Sequence, residues 1–262
     1  PDKLLEMIEK HNVTTLFTAP TAYKVIIDHL EGRNISSLKT CISAGENLPL
    51  IVSDNFYDAT GIRLIDGIGA TEMIHVFISA SGDEIRPGST GKVVPGYSAE
   101  IWGDDDQPLG AGEVGRLVVK GPTGCRYLNG DRQENYVKNG WNITGDIFKK
   151  DEDGYFWFIA RGDDIIISAG YNIASPEVEQ AIMAHAAVSE CAVIGAPDQD
   201  RGMIVKAFIV LKDGVEGNDE LIKDIQTFVK STVAPYKYPR AIEFIDALPK
   251  SATGKLLRKD LK

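Results

Sequence analysis

The chain has 262 residues, 43% of them hydrophobic and 25% charged, with a formal net charge of -10. That is globular composition with length for more than one core, and the acidic balance argues against nucleic acid or an anionic membrane as a broad partner. No apolar run approaches the length of a membrane span. Three scattered cysteines, Cys41, Cys125 and Cys191, read as reduced thiols in a cytoplasmic protein rather than a disulfide framework or a metal cluster. The chain starts at Pro1 within a helical pattern, Leu4-Leu5-Met7-Ile8, without signal-peptide character, and is read as a piece of something longer.

Residues 1 to about 85 alternate strand and helix signals. β-rich runs lie at Thr14–Thr18, Leu38–Ser43 and Ile62–Ile65. Helical patterns open after Pro20-Thr21 and at Pro49, where proline suits a first turn. Strand–helix–strand order predicts a parallel α/β layer, in which ligands sit at the C-terminal strand ends. Ser43-Ala44-Gly45-Glu46 and Asp66-Gly67-Ile68-Gly69-Ala70-Thr71-Glu72 fall at such ends. From 86 to 162, Gly and Pro punctuate short alternating runs, Ser98–Trp102, Val114–Lys120 and Gly154–Ile159, which predicts a small distorted antiparallel barrel.

From 163 to 262 the pattern is that of a small α+β domain. Ser175-Pro176-Glu177 opens a helix with a predicted Ser cap, and Val178, Ala181, Ile182, His185 and Ala186 mark one face. Strands are predicted at Ala192–Ile194, Val205–Leu211 and Ala241–Ile245. A second helix presents Leu221, Ile222, Ile225, Phe228 and Val229 on one face.

Four stretches could carry chemistry. In 66–72, two glycines allow close backbone approach, Thr71 can bond a phosphate oxygen, and Glu72 can hold Mg²⁺. Taken alone, it reads as a strand-to-helix turn capped by Thr71. Asp146 follows the turn glycine of Thr144-Gly145-Asp146, and one carboxylate can accept both hydroxyls of a ribose; an Asx-turn is the plain alternative. Arg161, before Gly162-Asp163-Asp164, could clamp phosphate or ribose or pair with either aspartate. The tail Pro249-Lys250-Ser251-Ala252-Thr253-Gly254-Lys255 ends on a lysine able to reach an anionic site, although Arg258, Lys259 and Lys262 also suit a solvated basic end.

In this order the motifs resemble the adenylate-forming superfamily of acyl- and aryl-CoA ligases, peptide-synthetase adenylation domains and firefly luciferase. Gly112-Glu113 with Gly121, and Arg161 through Gly170 to Glu179, add to the likeness, which spans essentially the whole chain. Ser43-Ala44-Gly45-Glu46 and Gly67 to His75 look most like benzoate- and 2-aminobenzoate-CoA ligases. The family's upstream phosphate loop is not in this sequence, so the chain looks like the C-terminal half of such an enzyme. Asn172 stands where many relatives carry arginine.

The resemblance implies the C-terminal part of the large domain (residues 1–162, with the α/β layer in 1–85) followed by a small mobile α+β domain (163–262). It implies ATP/AMP, Mg²⁺ and coenzyme A as ligands. A carboxylate attacks the α-phosphate of ATP, and a thiol then displaces AMP. Lys255 bridges the carboxylate and the phosphate; Thr71 touches phosphate and Glu72 holds Mg²⁺, and these three are the implied catalytic residues. Glu46 and Asp66 lie near the adenine, Ser43, Gly45 and Gly67 are further cofactor-binding residues, Asp146 and Arg161 hold the ribose, Asp163 is the hinge, and Gly170 and Tyr171 reach the thiol tunnel. Ala44, Gly67, Ile68, Gly69, Ile74 and His75 are the implied acid pocket. The expected partners are a small carboxylic acid, ATP and CoA, not nucleic acid or a membrane, with a homodimer left open. Rival readings are a domain loading a carrier-protein thiol, a ligase for medium-chain acids, and a folded fragment without turnover; a light-emitting oxygenase has no specific support.

Overall fold

The computed structural model describes residues 2–124, 126–128, 132–251 and 256–261. Cys125 and Ala252 to Lys255, the tip of the lysine tail, lie outside the described residues. The chain divides into two compact units, Pro1–Phe158 and Ile159–Lys262, a division slightly earlier than the expected one.

The first unit begins α1 (Asp2–His11), β1 (Thr15–Thr18), α2 (Pro20–Asp28), β2 (Thr40–Ala44), α3 (Leu50–Thr60), β3 (Leu64–Gly69). With β4 (Val76–Ser79) and β5 (Lys92–Val93) the strands form one sheet in order β1-β2-β3-β4-β5. β1, β2 and β3 run parallel, and β4 and β5 turn the far edge antiparallel. The helices' apolar faces cover the parallel strands: Leu5, Ile8, Tyr23, Ile26 and Phe56 pack with Leu16, Cys41 and Leu64. The buried Tyr23 hydroxyl reaches the carbonyls of Leu16 (3.1 Å) and Ile42 (2.9 Å), so the core's polar atom is satisfied. Pro20 lies in the first turn of α2, whereas Pro49 occupies the N-cap of α3.

The barrel-like part is an antiparallel half-barrel of β6 (Ser98–Trp102), β7 (Val114–Lys120), β8 (Val137–Lys138), β9 (Trp141–Lys150) and β10 (Phe156–Arg161). Its order is β10-β9-β7-β6, with β8 beside β9 and the short helix α4 (Arg132–Tyr136) before it. Phe77 and Ile78 of β4 pack with Ile101, Leu117, Val119, Phe148 and Phe156, which joins sheet and half-barrel through one core.

The second unit opens with the hairpin β11 (Ile165–Ser168) and β12 (Tyr171–Ala174), then α5 (Ser175–Met183), β13 (Val188–Asp198), β14 (Gly202–Leu211), α6 (Asp219–Thr232) and β15 (Ala241–Phe244). β13 and β14 are antiparallel, and β15 runs parallel to β14. Cys191, Val193, Ala207 and Ile209 face the helices' Val178, Ile182, Ile225 and Val229. The alternate residues Ala192, Ile194 and Phe208 pack with Leu248, Leu256 and Leu261 of the tail. Both faces are covered, which explains why these strands read as continuous apolar runs. Two expectations are corrected: Ala174, not Ser175, is the N-cap of α5, and the helix stops at Met183, short of His185 and Ala186.

Candidate active site

The C-terminal ends of β1, β2 and β3 bring the first group of polar residues together. Ser43 pairs in register with Thr18 on one side and Asp66 on the other. Its Oγ is fully buried and has no hydrogen-bond partner. An orphaned buried hydroxyl is costly unless a ligand or water completes it. The chain then leaves the sheet through Gly45, at φ 93°, toward the half-buried Glu46.

Asp66 keeps only part of its surface exposed. Burial pushes its carboxyl up from 3.8 to about 7, opposed by hydrogen bonds from the Gly67 backbone and the Thr90 hydroxyl. A small recess beside it is lined by Ser53, Arg86, Ser89 and Thr90. Near neutral pH this carboxyl can either donate or accept a hydrogen bond.

The 66–69 segment is not the turn expected from its glycines; it is the end of β3, paired with β2 and β4. The chain, not a ligand, makes the close approach. A Cβ on Gly69 would lie 2.6 Å from the His75 carbonyl oxygen, and one on Gly67 would lie 2.9 Å from a Val76 methyl. Thr71–Met73 forms a single tight turn, after which Ile74 takes φ 71°. Ile74 is 74% exposed, so the structure does not bring it into an enclosed pocket floor. Ala44 ends β2, Ile68 is packed against the half-barrel core, and His75 is exposed with its ring 6.5 Å from that of Phe17.

Three residues missed by sequence reasoning hold this turn. Tyr127 donates to Glu72 Oε1 at 2.6 Å, and Thr123 donates to the Met73 carbonyl at 2.8 Å. Tyr97 joins Thr123 at 2.9 Å. The available signal was Gly121: a Cβ there would sit 2.2 Å from the Tyr97 ring. One anchored carboxylate fits Mg²⁺, which takes few protein ligands and completes its shell with water and phosphate oxygens.

Asp146 lies inside the long strand β9, not in a free turn. Arg116 pairs with Ile147 and Val118 with Ile143, so Thr144, Gly145 and Asp146 together oppose Leu117. The bulge uses Gly145 at φ 79°, and the Thr144 hydroxyl donates to the Leu117 carbonyl at 3.1 Å. Such a bulge re-aims one side chain; the Asp146 carboxylate is buried.

In the second unit, Arg161 ends β10 on the surface and Gly162–Asp164 forms a tight turn into β11. Ala169 and Gly170 are the two-residue loop of the β11–β12 hairpin, at φ 49° and 83°, the geometry of a tight hairpin turn. Tyr171 follows, half exposed, its ring stacked on Tyr236 with centroids 4.4 Å apart. Asn172 pairs with Ile167. Lys255 lies outside the described residues, but its flanks are held: Lys250 and Leu256 form an antiparallel bridge, and the Leu257 amide donates to the Pro249 carbonyl at 2.9 Å.

The α/β layer, the half-barrel and the separate α+β unit are the parts of the adenylate-forming fold. The model for AMP-binding enzymes matches residues 1–127, and that for the AMP-binding enzyme C-terminal domain matches 177–255. The chain belongs to this family of AMP-binding enzymes. It is 40% identical, over all its length and 50% of the relative's, to an uncharacterized acyl-CoA ligase, YtcI, of Bacillus subtilis. It is also 40% identical to the mitochondrial acyl-coenzyme A synthetase ACSM3 of Rattus norvegicus, covering 99% of this chain and 46% of the relative. Among solved structures, the anthranilate CoA ligase AuaEII in complex with anthranoyl-AMP superposes with a TM-score of 0.92 and 39% identity, over 99% of this chain and 51% of that one. The chain thus spans about half the length of the curated relatives it matches.

Proposed function

We propose that this chain is part of an ATP-dependent acid–thiol ligase that joins benzoate or 2-aminobenzoate to coenzyme A through an acyl-adenylate. The observation that carries the reading is the strand-end group: an unpartnered buried Ser43 hydroxyl in register with a carboxyl held near neutrality. Such a pair can meet the donors and acceptors of a purine. Likeness to an anthranilate CoA ligase bound to its adenylate supports both the nucleotide and the aromatic acid.

In this reading residues 1–162 belong to the large domain and 163–262 form the small one. Ser43, Gly45, Glu46, Asp66 and Gly67 face the adenine, while Asp146 and Arg161 take the ribose hydroxyls. Thr71 donates to phosphate. Glu72, fixed by Tyr127, holds Mg²⁺, which neutralises phosphate charge when bound. Lys255 sits between the attacking carboxylate and the α-phosphate, stabilising charge that builds only in the first transition state. Rotation about Asp163 withdraws Lys255 and brings Gly170 and Tyr171 to the thiol. Ala44, Ile68, Gly69, Ile74 and His75 border the acid. The protein is cytoplasmic and acts on small molecules, as a monomer or a homodimer.

The test uses the complete enzyme that contains this chain. Lys255→Ala is expected to cut acid-dependent ATP–pyrophosphate exchange by about 10²–10³, with thioester formation from supplied acyl-adenylate nearly unchanged. Equal losses in both half-reactions overturn the role of Lys255. For the substrate, benzoate and 2-aminobenzoate are expected to exceed any long-chain acid in kcat/KM. His75→Ala is expected to change the ranking of ring-substituted benzoates by about 1–3 kcal/mol. Preference for dodecanoate over every benzoate removes the aromatic assignment, and an unchanged ranking removes His75 alone. A carrier-protein acceptor is the second reading if pantetheine on a protein is charged and free CoA is not.

A further inference from the structure

The sequence shows Arg258 as one cation in a basic tail. In the structure it is the centre of a buried ionic cluster. Its NH2 donates to both carboxylate oxygens of Glu179, at 2.6 and 2.7 Å, and its NH1 lies 3.4 Å from Asp164. The side chains of Arg258, Glu179 and Asp164 are only 23%, 16% and 16% exposed.

Each partner is tied to a different element. Glu179 lies on α5 and also accepts from the Val193 amide of β13 at 2.8 Å. Asp164 ends the tight turn that holds Asp163, and its carbonyl accepts from the Ser175 hydroxyl at 2.7 Å. A cavity of about 220 Å³ lies alongside, lined by Asp163, Asp164, Ser175, Val193, Met203 and Arg258 among others. A surface cation needs no such arrangement, and exposed pairs are weak. One terminal nitrogen shared between both oxygens of Glu179, with the other terminal nitrogen beside Asp164, holds the guanidinium between two acids.

The arginine's own segment is held apolarly on either side of it. Leu256 and Leu261 pack with Ala192, Ile194 and Phe208, and the Lys250–Leu256 bridge closes the base of the tail. Lys255 is the residue before that bridge, three positions from Arg258 in sequence.

We propose that Arg258 is a positioning residue. By joining Glu179 and Asp164 it locks the Leu256–Leu261 segment, which follows Lys255 in sequence, to the Gly162–Asp164 turn, so that this segment and the turn move as one body. The proposal rests on the ligase reading above for its functional consequence. It does not rest on it for the anchoring, which is a property of the second unit alone. A misplacement of about 1 Å can cost a catalytic group roughly 10²-fold in rate, which is why a rigid tether matters for a lysine on a terminal segment.

The test compares Arg258→Lys and Arg258→Met with the unmodified protein, in the complete enzyme. Hydrogen exchange of the Leu257 amide is expected to rise at least about tenfold in Arg258→Met and less in Arg258→Lys, while the amides of Ala207 and Ile209 keep their protection. Acid-dependent ATP–pyrophosphate exchange is expected to fall about 10–100-fold in Arg258→Met. Thioester formation from supplied acyl-adenylate should stay within about twofold, and Arg258→Lys should recover part of the lost exchange. Unchanged protection at Leu257 overturns the proposal, whatever the activity. Protection lost across Ala207 and Ile209 as well, or both half-reactions falling together, also overturns it and leaves Arg258 a residue of general stability. If the unmodified enzyme shows no acid-dependent exchange, the ligase reading fails, and the Leu257 amide still decides the anchoring.

Discussion

At the scale of single residues, the glycines of 66–72 have two readings that make different predictions. A slot for a planar ligand tolerates alanine until the ligand binds. The structure instead places a Gly69 Cβ against backbone, 2.6 Å from the His75 carbonyl oxygen. Backbone cannot swing away as a side-chain end can, so Gly69→Ala is expected to destabilise the first unit by about 1–3 kcal/mol or more without any ligand. Gly170→Ala meets no atom within 4 Å and carries only the strain of φ 83°, a cost of about 1 kcal/mol. Urea midpoints of both variants check this; equal, small losses would restore the slot reading. Asp66 gives a second residue-scale prediction. Its folded pKa is raised, so the folded state binds the proton more tightly. The associated stability is complete below the unfolded value of 3.8 and is lost as pH rises through about 7. Allowing for its partial exposure, the loss is on the order of 1–3 kcal/mol. Asp66→Asn is expected to remove that slope, so wild type should lose this much more unfolding free energy than the variant between pH 4 and pH 8. Parallel pH profiles would mean that Asp66 is ionised as freely as an exposed carboxyl.

At the scale of elements, the sequence disclosed what local chemistry controls. Thr15–Thr18, Ser98–Trp102 and Val114–Lys120 stand within a residue of where alternation put them, because each carries its own pattern of buried and exposed side chains. β9 was missed because Gly145 inside it looked like a turn. A bulge is decided by the neighbouring strand: three residues oppose Leu117 only because β7 is there. The same holds for Ser175, which looked like a cap until the Asp164 carbonyl claimed its hydroxyl. The candidate site was legible where its residues are consecutive, as at 43–46 and 66–72. Tyr97, Thr123 and Tyr127, and the pairing of Arg258 with Glu179, come together only through tertiary packing, which no spacing in the chain records. The proposed hinge belongs to this scale. Asp163 is the middle residue of the Gly162–Asp164 turn. Proline there fixes φ near -65° and restricts Gly162 before it. It opposes any reorientation of the turn. Asp163→Pro is therefore expected to leave adenylation nearly intact and to slow thioester formation; a wild-type rate from supplied adenylate would move the hinge elsewhere.

At the scale of the whole molecule, the question is where one folding unit ends. Among the described residues, the apolar clusters of the first unit draw on Leu5 to Phe158, and those of the second on Ile166 to Leu261. The second unit has two covered sheet faces of its own. At about 100 residues it is within the range in which a single core supports independent folding. The division at Phe158 cuts through β10, which runs Phe156–Arg161 and lies beside β9. Cutting a paired strand leaves unmatched backbone groups on both sides, whereas a cut after Gly162 keeps β10 whole and falls in the turn. We therefore expect residues 163–262, expressed alone, to unfold in one cooperative urea transition, with an m-value of about 1–1.5 kcal/mol/M. Residues 159–262 should show the same midpoint, because Ile159 to Arg161 have lost their sheet and add nothing to the core. A non-cooperative transition for 163–262, or a clearly higher midpoint for 159–262, would put the boundary back inside β10 and make the end of that strand part of the second unit's fold.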